Sequence, residues 1–431
     1  MKFMKLIKYP ARDEWEEIIK RPVMDTRELG EAVSAILEDV RRNGDSALRK
    51  YSSRFDGVEL EDLAVREDEY LDAENAVPQE LKDALAIAKS NIERFHAVHE
   101  QEPTIIETTL GVECWRRAVP IEKVGLYVPA GSAPLFSTVL MLAIPATLAG
   151  CREIVLCSPP GSDGKVNAAT LYAARLCGVT KVFTIGGAQA IAAMAFGTES
   201  VPRVYKIFGP GNQFVTEAKL QVMREGIAID MPAGPSEVAV LADESCVPAF
   251  VAADLLSQAE HGPDSQVILV SDSQNVIEEV MGEVEIQLER LPRRDTAKAA
   301  LENSRAILVR SITEGVELLN EYAAEHLILA VRDAEHIAQS VANAGSVFIG
   351  NYSCESAGDY ASGTNHTLPT NGAARAFSGV STASFIKTIT YQRLSEEGIR
   401  GLGPVIEVMA AAEGLEAHRN AVAIRRRHIG A

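Results

Sequence analysis

From Lys123 to Gly350 short β-rich runs alternate with helical stretches, and this alternation constrains the chain more than any other feature. "KVGLYV", "EIVLC", "KVFTI" and "VYKIF" are each followed by a Gly- or Pro-containing turn and then an Ala/Leu-rich helical segment. "EVAVLA", "QVILV", "RAILV", "LILA" and "SVFIG" repeat the pattern, with helices such as "ITEGVELLNEYAAEH" between them. Adjacent parallel strands need such crossovers, so the two series predict two α/β layers. Residues from Thr26 to Val98 instead show helical periodicity with many charges, and the C-terminal segment reads as helical. These helices are expected to cover the sheets or to form an oligomer contact.

Length and charge exclude several classes. At 431 residues the chain exceeds what a single core usually supports. A formal charge of -18 argues against a nucleic-acid partner, which needs Lys and Arg to replace counterions. The basic run Arg425 to Arg427 reads as a solvated face. No apolar stretch approaches the roughly 20 residues of a membrane span, and "MKFMKLIKYP" lacks the apolar core of a signal peptide. No membrane partner and a cytoplasmic location are expected. The six cysteines form no CxxC pair, which fits a reducing compartment and mostly buried thiols.

Ligands of parallel sheets collect at the carboxyl ends of the strands. Here "YVPAGSAP", "IGGAQA" and "FGPGNQF" follow the first, third and fourth strands. Glycine lets backbone approach a ligand, and the next helix offers free N–H groups to phosphate. Sharp turns use glycine anyway, but three such loops in successive units point to a nucleotide pocket. It lacks the GxGxxG fingerprint.

The tripeptide Ala-Glu-His recurs at Ala259–His261, Ala324–His326 and Ala334–His336. In the first copy Gln258 and His261 are three apart and share a helical face at a C-terminus, where the macrodipole favours a cation. Glutamine is an uncommon zinc ligand, so this spacing alone is a weak metal signal. Asp359 and His366, expected on a loop at a sheet end, would strengthen it, for a Gln, two His and an Asp could surround Zn²⁺. In the second copy Glu325 and His326 lie between a helix end and a buried strand, pointing apart, which suits two separately aimed bases. In the third, His336 reads as a surface residue after an N-capping Asp333. His96, His99 and His428 read as solvated or capping side chains.

Taken together, "DLLSQAEHGPDSQ", "YAAEHL", "SAGDYASGTNHTLPT", "MPAGPSEV", "FGPGNQFVTEAK" and "EGLEAHRNA" resemble, in order and spacing, the motifs of the histidinol dehydrogenase family. The likeness runs from Trp115 to the end and is weaker before it. It implies a zinc-dependent homodimer that oxidises L-histidinol to L-histidine in two steps, reducing two NAD⁺. It also implies an α/β fold of two incomplete Rossmann-like domains with helical terminal segments exchanged between protomers. The expected divisions are an arm at 1–22, a metal and substrate domain at 23–120 plus 236–385, a nucleotide domain at 121–235 and a dimerisation segment at 386–431. Carried onto matching positions, the resemblance implies one zinc per active site, held by Gln258, His261 and Asp359 with His418 from the partner subunit. It makes Glu325 and His326 the catalytic bases. Ser236, His366 and Glu413 join the zinc ligands and His326 as substrate contacts, and Tyr127, Gln189 and Asn212 contact NAD.

The chemistry expected is that His326, as a neutral imidazole with a pKa near working pH, takes the hydroxyl proton. Glu325 then activates water for the aldehyde step. Rival readings are a thiolate route through Cys114 or Cys151, a zinc hydrolase with no nicotinamide, a paralogue acting on another alcohol, and a non-catalytic binding protein.

Overall fold

The computed structural model describes residues 3–22, 27–97, 104–130, 134–232 and 234–431. Contacts divide the chain into two compact units, Met1–Ala97 with Glu122–Phe385, and Val98–Ile121 with Ile386–Ala431. His99 lies outside the described residues.

The first unit holds both parallel sheets. The six-stranded sheet runs in the order Lys5–Lys8, Arg305–Leu308, Gln266–Ser271, Glu237–Ala242, His326–Ala330 and Ser346–Ile349, every pairing parallel. Its central strands are buried along their whole length because helices cover both faces. Alternate residues divide accordingly. Val238, Val240, Val267, Leu269 and Ile328 face the helices Pro248–Ala259, Gln274–Leu288 and Arg294–Glu302. Ala239, Leu241, Ile268, Val270 and Leu327 face the helix Ile312–Tyr322 and Trp15. The edge strand Lys5–Lys8 was not anticipated; with two lysines in four residues it carries little apolar signal.

The five-stranded sheet runs Lys181–Thr184, Glu153–Ser158, Lys123–Tyr127, Lys206–Phe208 and Ala228–Ile229, again parallel. On one face it is covered by the helices Gly187–Phe196 and Gln213–Arg224, and these by Arg27–Tyr51. That helical stretch, expected with the 236–385 layer, therefore belongs to the core of the other sheet. The helix Phe136–Ala149 is apolar on nearly every side, and its residues from Ser137 to Ala146 are buried, as an all-round hydrophobic helix must be.

The second unit departs from the helical expectation. Ile386–Leu394 pairs antiparallel with Val112–Pro120, which pairs in turn with Ile106–Thr109. Trp115 and Tyr391, directly opposite in register, stack with centroids 5.4 Å apart. The helices Glu396–Ala412 and Glu416–His428 pack on each other, with Arg426 bonded to Glu407 at 3.0 Å. Among the described residues no helix is long and apolar enough to cross a membrane.

Candidate active site

The donor residues meet at the amino end of the six-stranded sheet, opposite to the edge where parallel sheets usually bind ligands. Glu237 opens one strand and His326 opens its neighbour, paired with Val238. Strand beginnings present free backbone N–H groups, and here the Glu237 N–H donates to Glu325 Oε2 at 2.9 Å. The helix Ile312–Tyr322 ends on Ala323 in the left-handed region, with φ of 54°. The sharp turn that follows brings both side chains to the same backbone unit, with Glu325 Oε2 3.6 Å from His326 Nδ1, although their adjacency suggested that they would point apart.

Gln258 stands in the last turn of Pro248–Ala259, and His261 just beyond it, its N–H donating to the Gln258 carbonyl at 3.2 Å. Gln258 is only 1% exposed. Its amide donates to the Glu237 carbonyl at 3.4 Å and to Glu325 Oε2 at 3.3 Å, while its Oε1 has no hydrogen-bond partner. A buried orphaned acceptor costs about 1–3 kcal/mol. A cation beside it would remove that cost.

Asp359 sits in the short helix Glu355–Tyr360 rather than on a loop. Its Oδ1 lies 3.3 Å from His326 Nε2, and neither atom has an aligned hydrogen-bond partner. Donor atoms of His261, Glu355 and Asp359 all lie within 4.8 Å of one another. A mixed nitrogen and carboxylate set fits a borderline divalent ion such as Zn²⁺. Glu355, buried at 1% exposed, escaped the sequence reading, although its spacing of four from Asp359 places both carboxylates on one helical face.

The electrostatics differ from the sequence expectation at His326. Desolvation pulls its pKa down, but the carboxylates of Glu325, Asp359 and Glu355 outweigh this and push it up to about 10. A cation among those same carboxylates would offset their pull and favour the expected neutral imidazole. Burial lifts Glu325 to about 8 and Glu355 well above the carboxylate range. His261 is held low chiefly by desolvation of its ring, although the residue as a whole is exposed. His366, also held low by desolvation first, donates from Nδ1 to the Asp359 carbonyl at 2.8 Å. Its Nε2 lies 3.1 Å from Thr138 Oγ1.

Glu237 was not singled out by the sequence either, yet it organises the site. Its carboxylate takes two bonds from Arg21, at 2.6 and 2.8 Å, and one from the Asn371 N–H at 2.7 Å. Arg21 also donates to the Tyr322 carbonyl at 2.7 Å, tying down the helix end before Glu325. Ser236, half-buried, precedes Glu237 and accepts from the Gln266 N–H at 3.2 Å. No sequence pattern announces a residue whose work is done by its backbone.

The loops before Gly187–Phe196 and Gln213–Arg224 lie at the carboxyl edge of the five-stranded sheet. Tyr127 ends its strand buried, its hydroxyl accepting from the Gly187 N–H at 3.0 Å, and burial raises its pKa to about 12. Gln189 is 2% exposed and folds over Gly187. Asn212 caps Gln213–Arg224, its Oδ1 accepting from Phe214 and Val215 N–H at 3.0 and 3.1 Å. Gly209 has φ of 129°, and a Cβ there would stand 2.1 Å from the Tyr127 carbonyl oxygen. Residues 131–133 of the first loop lie outside the described residues, while the helix starts at Gly187 and Gln213 present backbone N–H groups at this edge. Beneath it Lys219 and Asp230 form a buried ion pair that anchors Gly209 through both its carbonyl and its N–H, at 2.9 and 2.8 Å.

Glu413 and His418 belong to the second unit, exposed at the end of one helix and the start of the next. His336 and His428 are on the surface, as expected, though Asp333 makes no side-chain cap. His96 is instead buried at 4% exposed with its Nε2 unpartnered. The thiol of Cys151 is raised by burial to about 11, which disfavours a thiolate route there.

Parallel sheets, glycine-bearing loops at the carboxyl edge of one and a buried imidazole and carboxylate cluster on the other define an α/β enzyme of the doubly wound class. The sequence profile described as histidinol dehydrogenase matches residues 19–426. The chain is 60% identical over 422 residues to a histidinol dehydrogenase of Bacteroides fragilis, covering 98% of this chain and 99% of the relative. That of Bacteroides thetaiotaomicron is 57% identical over the same length and coverage. The crystal structure of histidinol dehydrogenase from Elizabethkingia anophelis superposes with a TM-score of 0.98 at 52% identity, covering 100% of both chains. The chain belongs to the histidinol dehydrogenase family, and it is an oxidoreductase.

Proposed function

We propose that this chain oxidises L-histidinol to L-histidine through histidinal, reducing two NAD⁺, as the last steps of histidine biosynthesis. The observation that carries the reading is the pair of bases held by one backbone: Glu325 by the Glu237 N–H and His326 by the Glu237 carbonyl. A hydrolase needs one base for one water. Two adjacent bases beside a cation site suit an alcohol oxidation followed by an aldehyde oxidation.

Gln258, His261 and Asp359 would hold Zn²⁺, one per active site, with His418 from a second copy of the chain. When bound, the metal supplies a fixed positive charge that orients the substrate's nitrogens. NAD⁺ would be held by Tyr127, Gln189 and Asn212 and supplies the hydride acceptor. Because the Glu237 carbonyl can only accept, His326 carries a proton on Nδ1 and offers Nε2 to the substrate hydroxyl. That nitrogen removes the hydroxyl proton in the first oxidation and the proton of the aldehyde hydrate in the second. Glu325, with one oxygen pinned by Glu237 and Gln258, takes the proton of the water that adds to the aldehyde. Ser236, His366 and Glu413 complete the substrate's surroundings, and His366 braces Asp359 through its carbonyl.

We read the active enzyme as a cytoplasmic homodimer with shared sites, its second unit, residues 386–431 foremost, serving as the dimerisation segment. The exposed apolar side chains of Val408 and Met409, 71% and 61% exposed, support that reading. Residues 121–235 would bind the nucleotide and 236–385 the metal and substrate. The test is stoichiometric: purified enzyme with limiting histidinol should form two NADH per histidinol, followed by absorbance. One NADH, or none, would overturn the proposal.

A further inference from the structure

Glu355 is the carboxylate at the site to which the proposed reaction gives no task. It begins the helix Glu355–Tyr360, is 1% exposed, and receives a hydrogen bond from Ser257 Oγ at 3.2 Å. Asp359, one turn later, shares its face, and the donor atoms of both carboxylates and of His261 lie within 4.8 Å of one another. Two carboxylates this close, Glu355 buried and Asp359 half-buried, repel when both are ionised, and a cation between them relieves this. Independent of them, Gln258 Oε1 and His326 Nε2 are buried in the same site without partners, the latter 3.3 Å from Asp359.

We propose that Glu355 is a ligand of the metal in the substrate-free enzyme, supplied from the same chain, and that the chelating substrate displaces it. The inference rests on the metal reading above and adds to it. Gln258, His261, Asp359 and the second copy's His418 fill the four places zinc prefers, and the substrate's two nitrogens extend the shell beyond that. No place remains for Glu355 while substrate is bound. With substrate gone the shell reopens, and the buried carboxylate beside it is a better donor for a divalent ion than its Ser257 hydroxyl contact. The metal is thereby retained through each turnover by an exchange of ligands, carboxylate for substrate.

The test compares the intact enzyme with Glu355→Gln. Zinc affinity is measured by competition with a chelator, without histidinol and with saturating histidinol, and the visible spectrum of the Co²⁺-loaded proteins is recorded in both states. The expected result is a loss of zinc affinity of about tenfold or more without histidinol, little change with it, and a cobalt spectrum altered only in the substrate-free state. Unchanged affinity and spectrum without histidinol, or equal changes in both states, overturn the inference. If Glu355→Gln does not fold, Glu355→Asp replaces it with the same spectral expectation, since the shorter side chain alters the bond to the metal. His261→Ala separates the two levels of the argument. If it binds zinc as well as the wild type, the metal reading fails; if it loses zinc and Glu355→Gln does not, only the role of Glu355 falls.

Discussion

The imidazole Nδ1 of His326 lies 3.2 Å from the carbonyl oxygen of Glu237, the residue that opens the adjacent strand. A carbonyl has no proton to give, so this contact assigns the Nδ1 proton and leaves Nε2 as the nitrogen that can act as base. His326→Gln should therefore lower kcat with both histidinol and histidinal by about 10² to 10⁴, the usual worth of a positioned base. Single-turnover rates with each substrate measure it, and a loss confined to one substrate would contradict the shared role.

Glu325 has the narrower task. Glu325→Gln keeps the bond from the Glu237 N–H but removes the carboxylate that activates water. It should oxidise histidinol in the first step near the wild-type rate and fail with histidinal, so that histidinal accumulates. Equal losses in both steps would sink this division of labour.

The Lys219–Asp230 pair fixes the Gly209 turn from below. Breaking one partner leaves a buried charge, which typically costs about 3–5 kcal/mol. Asp230→Asn should lower the melting temperature and raise KM for NAD⁺ more than it lowers kcat. The double variant Lys219→Met, Asp230→Leu should regain stability but not NAD⁺ affinity, because the anchor of the Gly209 N–H is gone.

Asp56 supplies a pH test away from the site. Burial raises its carboxyl to about 6, and its Oδ2 has no partner. An acid whose folded pKa is raised favours the folded state below its unfolded pKa, near 4, and loses that contribution as pH climbs through 6. Asp56→Asn should raise the melting temperature at pH 7 to 8, and the advantage should fade as pH falls from about 6 toward 4. A gain that is constant across this range would assign the effect to something other than the buried charge.

If His418 acts in the other protomer's site, two inactive variants should complement each other. Mixing His418→Ala with His326→Ala under conditions of subunit exchange gives heterodimers in which one site has every residue. Activity should recover to roughly a quarter of wild type for random pairing of a twofold dimer. No recovery, with exchange verified, would place His418 outside a shared site.

Much of the architecture was legible because parallel strands are buried on both faces and write themselves as apolar runs. "EVAVLA" and "QVILV" have no competing reading once helices flank them. The strands of the second unit were less so: Ile386–Leu394 places its apolar residues at Ile386, Ile389, Tyr391 and Leu394, three, two and three apart, which lacks the alternation of a strand. Gln258 and His261 were visible as a pair because helical spacing of three is local.

What local spacing cannot encode is convergence. Sequence alone determined that two α/β layers form and that Gln258 and His261 sit one helical turn apart. Only the tertiary structure set the strand Glu237–Ala242 against His326–Ala330, so that one backbone unit holds both bases. It also brought Glu355 and Asp359 to within a ligand shell of His261 across almost a hundred residues of chain. The physical reason is that a hydrogen bond to a main-chain N–H or carbonyl leaves no trace in residue identity, and burial of a carboxylate is decided by what packs over it.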